Sequence, residues 1–216
     1  MNARLSIKWA RWLWPTASLI ILVGYFRPWV PHRVAGLAIL GLDLGEYVKF
    51  LPPGDRGGIP IWREGFYVPL FAVALACSLL SHRRAYAYPF WLRLALVLLG
   101  VIATLNMLPP AWSPAVLRTP EFRLQTVAIV ASLVLLALSP VLALLPSLLT
   151  YTFIAVISAA GIWFPLTGFL QALPRISALY GHALRPGWAL ILTVAGLLLL
   201  LVTSWIGYRL EAITQR

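Results

Sequence analysis

Residues 124–174 read LQTVAIVASLVLLALSPVLALLPSLLTYTFIAVISAAGIWFPLTGFLQALP and contain no charged side chain over 51 consecutive positions. A charge-free apolar run of about 20 residues is typical of a helix that crosses a bilayer. Fifty-one residues are too many for one crossing and suit two, so the run predicts two adjacent membrane-spanning helices. A turn is expected at residues 145–147, and the Ser139-Pro140 pair predicts a kink within the first of the two helices.

The composition of the whole chain also indicates a membrane protein. Of its 216 residues, 61% are hydrophobic and 11% are charged, and the mean hydropathy is +0.88. Soluble domains carry about 25% charged residues, so this chain has too few to cover a water-facing surface. The net charge of +11 comes from bases in short loops between apolar segments. Such bases favour contact with lipid headgroups, and we do not expect nucleic-acid binding.

Apolar segments elsewhere in the chain raise the predicted number of transmembrane helices to about six. The predicted helices cover approximately residues 12–28, 65–81, 89–108, 124–145, 147–170 and 188–208. The first follows basic residues, as in a signal peptide, but no small-x-small cleavage site comes after it, so we expect it to be retained. The sequence therefore predicts an all-α integral membrane protein, with residues 1–216 forming a single polytopic domain.

An even number of crossings places both termini on one side of the membrane. With the termini in the cytoplasm, that side holds eight Lys and Arg residues, and the other side holds nine over a longer stretch of chain. The density of bases near the helix ends favours cytoplasmic termini, because cytoplasmic loops are enriched in Lys and Arg. We therefore expect a multi-pass protein of a cell membrane, such as a bacterial inner membrane.

The polar loop over residues 29–64 separates the first two predicted crossings. Asp43 and Glu46 have the spacing of an N-cap residue and a capping glutamate, which predicts a short interfacial helix starting at Asp43. We expect this helix to lie flat on the extracytoplasmic surface and to end at Pro52. Its apolar face would carry Tyr47, Val48 and Leu51, and the face turned away Glu46 and Lys49.

The same loop holds the richest set of candidate interaction residues. These are Asp43, Glu46, Lys49, Arg56, Arg63 and Glu64. Asp43 and Glu46 offer ligands for a cation, and Arg56 and Arg63 offer donors for an anionic headgroup. The alternative is a solvated loop whose charges pair with one another. No catalytic residue is predicted, because Asp43 and Glu46 fit helix capping better than acid–base chemistry and no partner nucleophile is evident.

The predicted crossings themselves carry little chemistry. None has an ionisable residue near its centre, which lowers the expectation of proton- or sodium-coupled transport. Ser81 and His82 are adjacent, so we expect their side chains to diverge, and no Gly-x-Ser-x-Gly motif occurs. No metal site or cofactor is predicted. Ligation of haem or a pigment by His32 or His182, which share a predicted side, stays open as an alternative although both lie outside the apolar core.

Small residues in the fifth predicted helix indicate close helix packing. Ala155, Ala159, Gly161 and Gly168 are the candidate packing residues, because small side chains let membrane helices approach closely. Gly161 and Gly168 also flank Pro165, so this helix is expected to bend.

Three functional hypotheses fit these observations. The first is a non-catalytic accessory or structural subunit of a larger membrane complex for transport or electron transfer, with the bilayer and other membrane subunits as partners. The second is a small permease or a substrate-binding membrane component for a lipid or apolar solute. The third is a membrane enzyme that acts on lipid headgroups through Asp43, Glu46 and Arg63. The scarcity of reactive groups within the helices favours the first.

Overall fold

Apolar helices dominate the computed structural model, which describes residues 9–51 and 61–214 and is 77% helical. The α-helices are α1 Leu13–Tyr25, α2 Gly41–Tyr47, α3 Val68–Leu80, α4 Phe90–Leu105, α5 Pro114–Leu117, α6 Arg123–Ala137, α7 Ser139–Leu142, α8 Ser147–Tyr180 and α9 Trp188–Thr214. Strands β1 Pro28–Val30 and β2 Ile39–Leu40 follow α1. Short 3₁₀ turns cover Ala35–Leu37, Val48–Phe50, Arg63–Tyr67, Arg84–Tyr86 and Pro120–Phe122.

Four helical segments in the described part of the chain are long and apolar enough to cross a membrane. They are Arg63–Leu80, Pro120–Ala137, Ser147–Tyr180 and Trp188–Ile213. The helices Leu13–Tyr25 and Phe90–Leu105 are apolar but shorter. This architecture is compatible with an all-α membrane protein, and the four long apolar helices suggest insertion into a membrane.

Helix α3 lies at the centre of the bundle and packs on α1, α4, α6 and α8. Within its apolar window 72% of the residues are buried, whereas the windows containing α6 and α8 are only 28% and 33% buried. Helix α9 packs on α1 and α8. The peripheral helices therefore present wide apolar faces outward, as hydrocarbon or another membrane protein would require.

The charge-free run forms α6, α7 and α8. Helix α6 ends at Ala137 and α7 begins at Ser139, so the helix is interrupted where the Ser139-Pro140 pair predicts a kink. Helix α8 begins at Ser147, immediately after the expected turn, and continues ten residues beyond residue 170 to Tyr180. At 1.5 Å per residue its 34 residues extend about 51 Å, which exceeds the roughly 30 Å hydrocarbon core.

The loop over residues 29–64 differs from the prediction in three respects. An antiparallel strand pair, with Pro28 opposite Leu40, was not expected. Helix α2 begins at Gly41, two residues early, and Asp43 lies in its first turn, where the carboxylate accepts a hydrogen bond from the Leu40 N–H at 3.4 Å. Glu46 does not cap this helix. The α-helix ends at Tyr47 and a 3₁₀ turn continues it to Phe50, before the expected stop at Pro52, which itself lies outside the described residues.

Candidate functional site

Charged side chains from the loop and from the start of α6 form one connected group, which we call the loop cluster. Its members are Glu46, Lys49, Arg63, Glu64 and Glu121. The Lys49 Nζ lies 2.5 Å from Glu46 Oε2 and 2.6 Å from Glu121 Oε1. The Arg63 guanidinium lies 3.1 Å from Glu121 Oε1 and 3.3 Å from Glu64 Oε1. Glu46 and Lys49 thus face other elements of the protein, and the expectation that they turn away was wrong.

Arg63 fixes the loop cluster to the helices. It is buried, and its Nη2 donates to the Glu121 carbonyl at 2.8 Å and to Gln125 Oε1 at 3.4 Å. Gln125 in turn donates from its Nε2 to the Met107 carbonyl after α4. The Arg63 guanidinium also lies 4.9 Å from the Phe122 ring. One side chain therefore connects the entry to α3 with the start of α6 and, through Gln125, with the end of α4.

Two cavities adjoin the loop cluster and share Tyr67 as a common wall. The first, of about 370 Å³, is lined by Asp43, Glu46 and Asn106 among others. The second, of about 290 Å³, is a mainly apolar groove between α3 and α6 that includes Glu64 and Gln125. The Tyr67 hydroxyl donates to Glu46 Oε1 at 3.0 Å, so the group nearest both cavities is already hydrogen-bonded.

The structure brings together four of the six predicted loop residues. Glu46, Lys49, Arg63 and Glu64 belong to the loop cluster, Asp43 lines the adjacent cavity, and Arg56 lies outside the described residues. Sequence reasoning missed Glu121, Tyr67 and Gln125. Only Glu121 had a usable signal, since it is a lone acidic residue three positions before the charge-free run.

A second polar group, which we call the terminal network, lies at the opposite end of the helices. Arg83 and Glu211 are both buried and form a bidentate pair, with Arg83 Nε 3.0 Å from Glu211 Oε1 and Nη2 2.6 Å from Oε2. Arg83 Nη1 also donates to the Leu145 carbonyl at 2.6 Å and to Thr150 Oγ1 at 3.2 Å. The Tyr151 hydroxyl donates to Glu211 Oε1 at 2.8 Å. A single guanidinium therefore joins α3, the α7–α8 turn and the end of α9.

Arg83 stays charged and the neighbouring Tyr86 stays neutral near neutral pH. Burial lowers the pKa of Arg83, but its hydrogen bonds and charge attraction to Glu211 outweigh burial and raise the pKa above its usual value. Burial raises the pKa of Tyr86, which bonds to the Tyr151 hydroxyl at 3.0 Å, to about 12. The network is therefore suited to holding elements together and poorly suited to transferring protons.

Histidine 82 lies beside the terminal network and contacts two serine hydroxyls. Ser81 Oγ and Ser139 Oγ each lie 3.1 Å from His82 Nδ1, so the expectation that Ser81 and His82 diverge was wrong. The chain turns directly after α3, which lets neighbouring side chains meet. Burial, and then the positive charge of Arg93, lower the pKa of His82. Within the described residues no carboxylate bonds to His82, so the arrangement lacks the orienting acid of a hydrolytic triad.

His32 and His182 lie together on the side of the loop cluster. Their ring centres are 5.7 Å apart, and His32 stacks edge-on against Tyr180. His32 Nδ1 accepts a hydrogen bond from the Val34 N–H at 3.1 Å, so a neutral His32 carries its proton on Nε2. Neither nitrogen of that tautomer has a lone pair free for iron. In the described part of the chain no three His, Cys, Asp or Glu side chains are grouped for metal binding.

The candidate packing residues of α8 divide into two sets. Gly161 and Gly168 are buried against this chain's own helices, where a Cβ would lie 3.1 Å from Leu197 and 3.0 Å from the Phe66 ring. Ala155 is half-buried and Ala159 is exposed. Gly161 and Gly168 therefore serve packing within the protein, while Ala159 is available to lipid or to another helix.

Comparison of the chain with protein-family models, with curated proteins and with solved structures found no match. Its geometry alone carries the functional argument.

Proposed function

We propose that this protein is a non-catalytic, multi-pass subunit of a larger membrane complex, with an accessory or structural role in transport or electron transfer. The observation that carries the proposal is the outward face of α8, the longest helix in the described part of the chain. Only a third of its apolar window is buried, and the whole helix is longer than the roughly 30 Å hydrocarbon core. Such a helix offers a second protein both an apolar face and a projecting end.

The outward face of α8 has a small residue between two large ones, a pattern found where membrane helices pack together. Val156 and Trp163 are 63% and 66% exposed, and the small Ala159 lies between them. Spacings of three and four residues place these three side chains on one face. Membrane helices associate through close packing at small residues, because lipid removes the hydrophobic drive between them. Ala159 between two large side chains offers a partner helix such a point of approach.

The state of the acidic residues supports a structural role. Each described carboxylate already has a partner within the chain. Asp43 bonds to the Leu40 N–H, Glu46, Glu64 and Glu121 pair with Lys49 or Arg63, and Glu211 pairs with Arg83. Carboxylates paired in this way stabilise loops and helix ends, as expected in a protein with a structural role.

Six crossings with both termini on one side form part of the proposal. Contacts between consecutive helix ends support this count. Arg63 bonds to Glu121 across α3 and α4, and His82 meets Ser139 across α4 and α6. If only the four longest segments crossed, these partners would lie on opposite sides of the membrane. At α1, the Tyr88 hydroxyl donates to the Arg11 carbonyl before the helix, and the Tyr25 hydroxyl at its end donates to the Phe66 carbonyl, so α1 also runs from one end of the bundle to the other. The shorter helices α1 and α4 are therefore counted as crossings, and the density of bases favours cytoplasmic termini.

Purification in a mild detergent followed by native mass spectrometry tests the subunit proposal. We expect the 23.9 kDa chain to occur in a heavier particle with other membrane proteins at fixed stoichiometry. Ala159→Phe on the proposed face should release the chain from that particle, because the added ring blocks close approach. Ile191→Phe, at an exposed position on α9, is the matched control and should leave the particle intact. A chain that runs alone as a monomer would overturn the proposal.

A second candidate function, a binding component for a lipid or apolar solute, is favoured by the groove of about 290 Å³ between α3 and α6. Its apolar walls lead to Glu64 and Gln125, which gives the groove one polar end. Ala128→Phe would fill this groove. Loss of a co-purifying lipid or solute in that variant, with the heavier particle absent, would favour this candidate over the subunit role.

The third candidate, an enzyme acting on lipid headgroups, is supported only by the 370 Å³ cavity beside Asp43 and Glu46. A double variant, Asp43→Asn with Glu46→Gln, removes both carboxylates while keeping their size. If headgroup turnover in vesicles is the same for the variant and the unaltered protein, the enzyme candidate is eliminated.

A further inference from the structure

A lateral groove of about 450 Å³ runs between α8 and α9 near the terminal network. Its lining includes Tyr151 and Ala155 from α8 and Leu201, Ser204, Trp205 and Tyr208 from α9. The volume lies within the range of small-molecule sites, roughly 300–1,000 Å³. Trp205 is 63% exposed and borders the groove, so the groove opens sideways, toward the lipid in the proposed topology.

The floor of the groove is apolar and held in place. Gly207 brings α9 so close to Tyr151 that a Cβ there would lie 2.5 Å from the ring. The Tyr151 hydroxyl is engaged with Glu211, and Ser204 Oγ donates to the Leu200 carbonyl of its own helix at 2.9 Å. Both polar atoms are thus satisfied within the protein. The rest of the lining is mainly apolar, with Thr152 and Tyr208 as its other hydroxyl-bearing residues.

A cation lies at the end of this apolar groove. The Arg209 guanidinium carbon is 5.5 Å from the centre of the Trp205 ring, which itself lines the groove. Arg209 is exposed, and within the described residues no carboxylate lies within ion-pair distance of it. The one described carboxylate at this end of the bundle, Glu211, is engaged by Arg83. The positive charge of Arg209 is therefore available to an anion.

We propose that this groove is a binding site for an anionic phospholipid, with an acyl chain between α8 and α9 and the phosphate against Arg209. The assignment follows from charge complementarity. Arginine and tryptophan side chains lie naturally at headgroup depth, where anionic lipids attract bases. A second copy of this chain would instead bring another arginine-rich end toward Arg209. The groove adjoins the proposed partner face of α8, because Ala155 lies one turn from Ala159, but its test counts retained lipids whereas the subunit proposal is tested by the mass of the particle.

The lipid preference of this site can be measured by counting the lipids that the protein retains from nanodiscs. The protein is reconstituted in equal amounts of phosphatidylglycerol and phosphatidylcholine, extracted gently, and its retained lipids are counted by native mass spectrometry. We expect phosphatidylglycerol to be enriched on the unaltered protein. Arg209→Gln should reduce that enrichment about fivefold, the effect of one basic residue near a lipid surface. Arg118→Gln, which removes an exposed arginine that does not border this groove, is the matched control and should change the enrichment much less.

A variant that fills the groove distinguishes binding of the lipid's acyl chain from binding of its phosphate. Ala155→Phe should abolish retention of both lipids in the groove, whereas Arg209→Gln should reduce only the preference for the anionic one. A measurement without variants keeps the test independent of folding defects, since added phosphatidylglycerol should raise the Tm of the unaltered protein more than phosphatidylcholine does. Equal retention in Arg209→Gln and Arg118→Gln would overturn the proposal, as would a groove occupied by a second copy in a dimer.

Discussion

Arg83 and Glu211 lie 128 positions apart and meet in a buried ion pair. Neither residue stands out in the sequence, where Arg83 is one of several bases beside a helix end. Burial makes the pair consequential, because a charge removed from water is stable only while its partner and its hydrogen bonds are present. Arg83 meets that requirement with Glu211, two carbonyl groups and Thr150.

Glu211→Gln should therefore be strongly destabilising. It leaves the Arg83 guanidinium buried without a counter-charge, and removal of one partner from a buried pair costs about 3–5 kcal/mol. The measurement is the free energy of unfolding in mixed micelles, with Arg84→Gln as an exposed control next to Arg83. A second variant, Arg83→Met with Glu211→Leu, should be more stable than Glu211→Gln alone. Similar values for Glu211→Gln and Arg84→Gln would contradict the account.

His82 predicts a pH dependence of stability. Its pKa in the folded protein lies below the usual 6.5, so the unfolded chain binds the proton more readily. Stability is then highest when both states are neutral, and it falls as the pH drops through about 6.5. Tm measured from pH 8 to pH 5 should decrease more for the unaltered protein than for His82→Gln. His32 and His182 are present in both proteins, so parallel curves would remove His82 as the cause.

At the scale of whole helices, the most extensive packing is between α1 and α9. A Cβ added at Gly24 would lie 2.6 Å from the Thr193 backbone nitrogen, and one at Gly196 would lie 2.8 Å from the Ile21 nitrogen. Backbone atoms cannot rotate away as side chains do, so these glycines set the distance between the helices. Small residues are frequent throughout the sequence, and spacing alone does not tell which of them face another helix.

Gly24→Ala should force α1 and α9 apart. The added methyl overlaps backbone atoms, and overpacking of this kind typically costs about 1–3 kcal/mol. Gly36→Ala is the matched control, because a Cβ at Gly36 meets nothing within 4 Å. Thermal unfolding in detergent compares the two. The expected result is a clear drop in Tm for Gly24→Ala only, and equal Tm values would show that the crossing is loose.

At the scale of the molecule, local composition predicted the apolar helices. The two polar groups depend on contacts between residues that are far apart in the sequence. The interruption near Ser139 and the turn before Ser147 follow from proline and from the length of the charge-free run. The loop cluster was partly predictable, because four of its five members lie within 20 residues of one another. Glu121 joins it from 57 positions beyond Glu64, and the terminal network spans the chain from Arg83 to Glu211. Such contacts depend on how the helices are arranged in three dimensions, which hydropathy does not encode.

The arrangement of the whole molecule predicts an accessibility pattern that distinguishes six crossings from four. Cys77 is the only cysteine and is buried, so single exposed cysteines can be labelled against a low background. With six crossings, Ala87→Cys and Leu144→Cys should react with a membrane-impermeant maleimide from one side of oriented vesicles, and Thr119→Cys from the other. With only the four longest segments crossing, positions 87 and 119 would share a side and position 144 would lie opposite. Because the contact between His82 and Ser139 requires positions 87 and 144 to lie at the same end, the second pattern would contradict the fold itself.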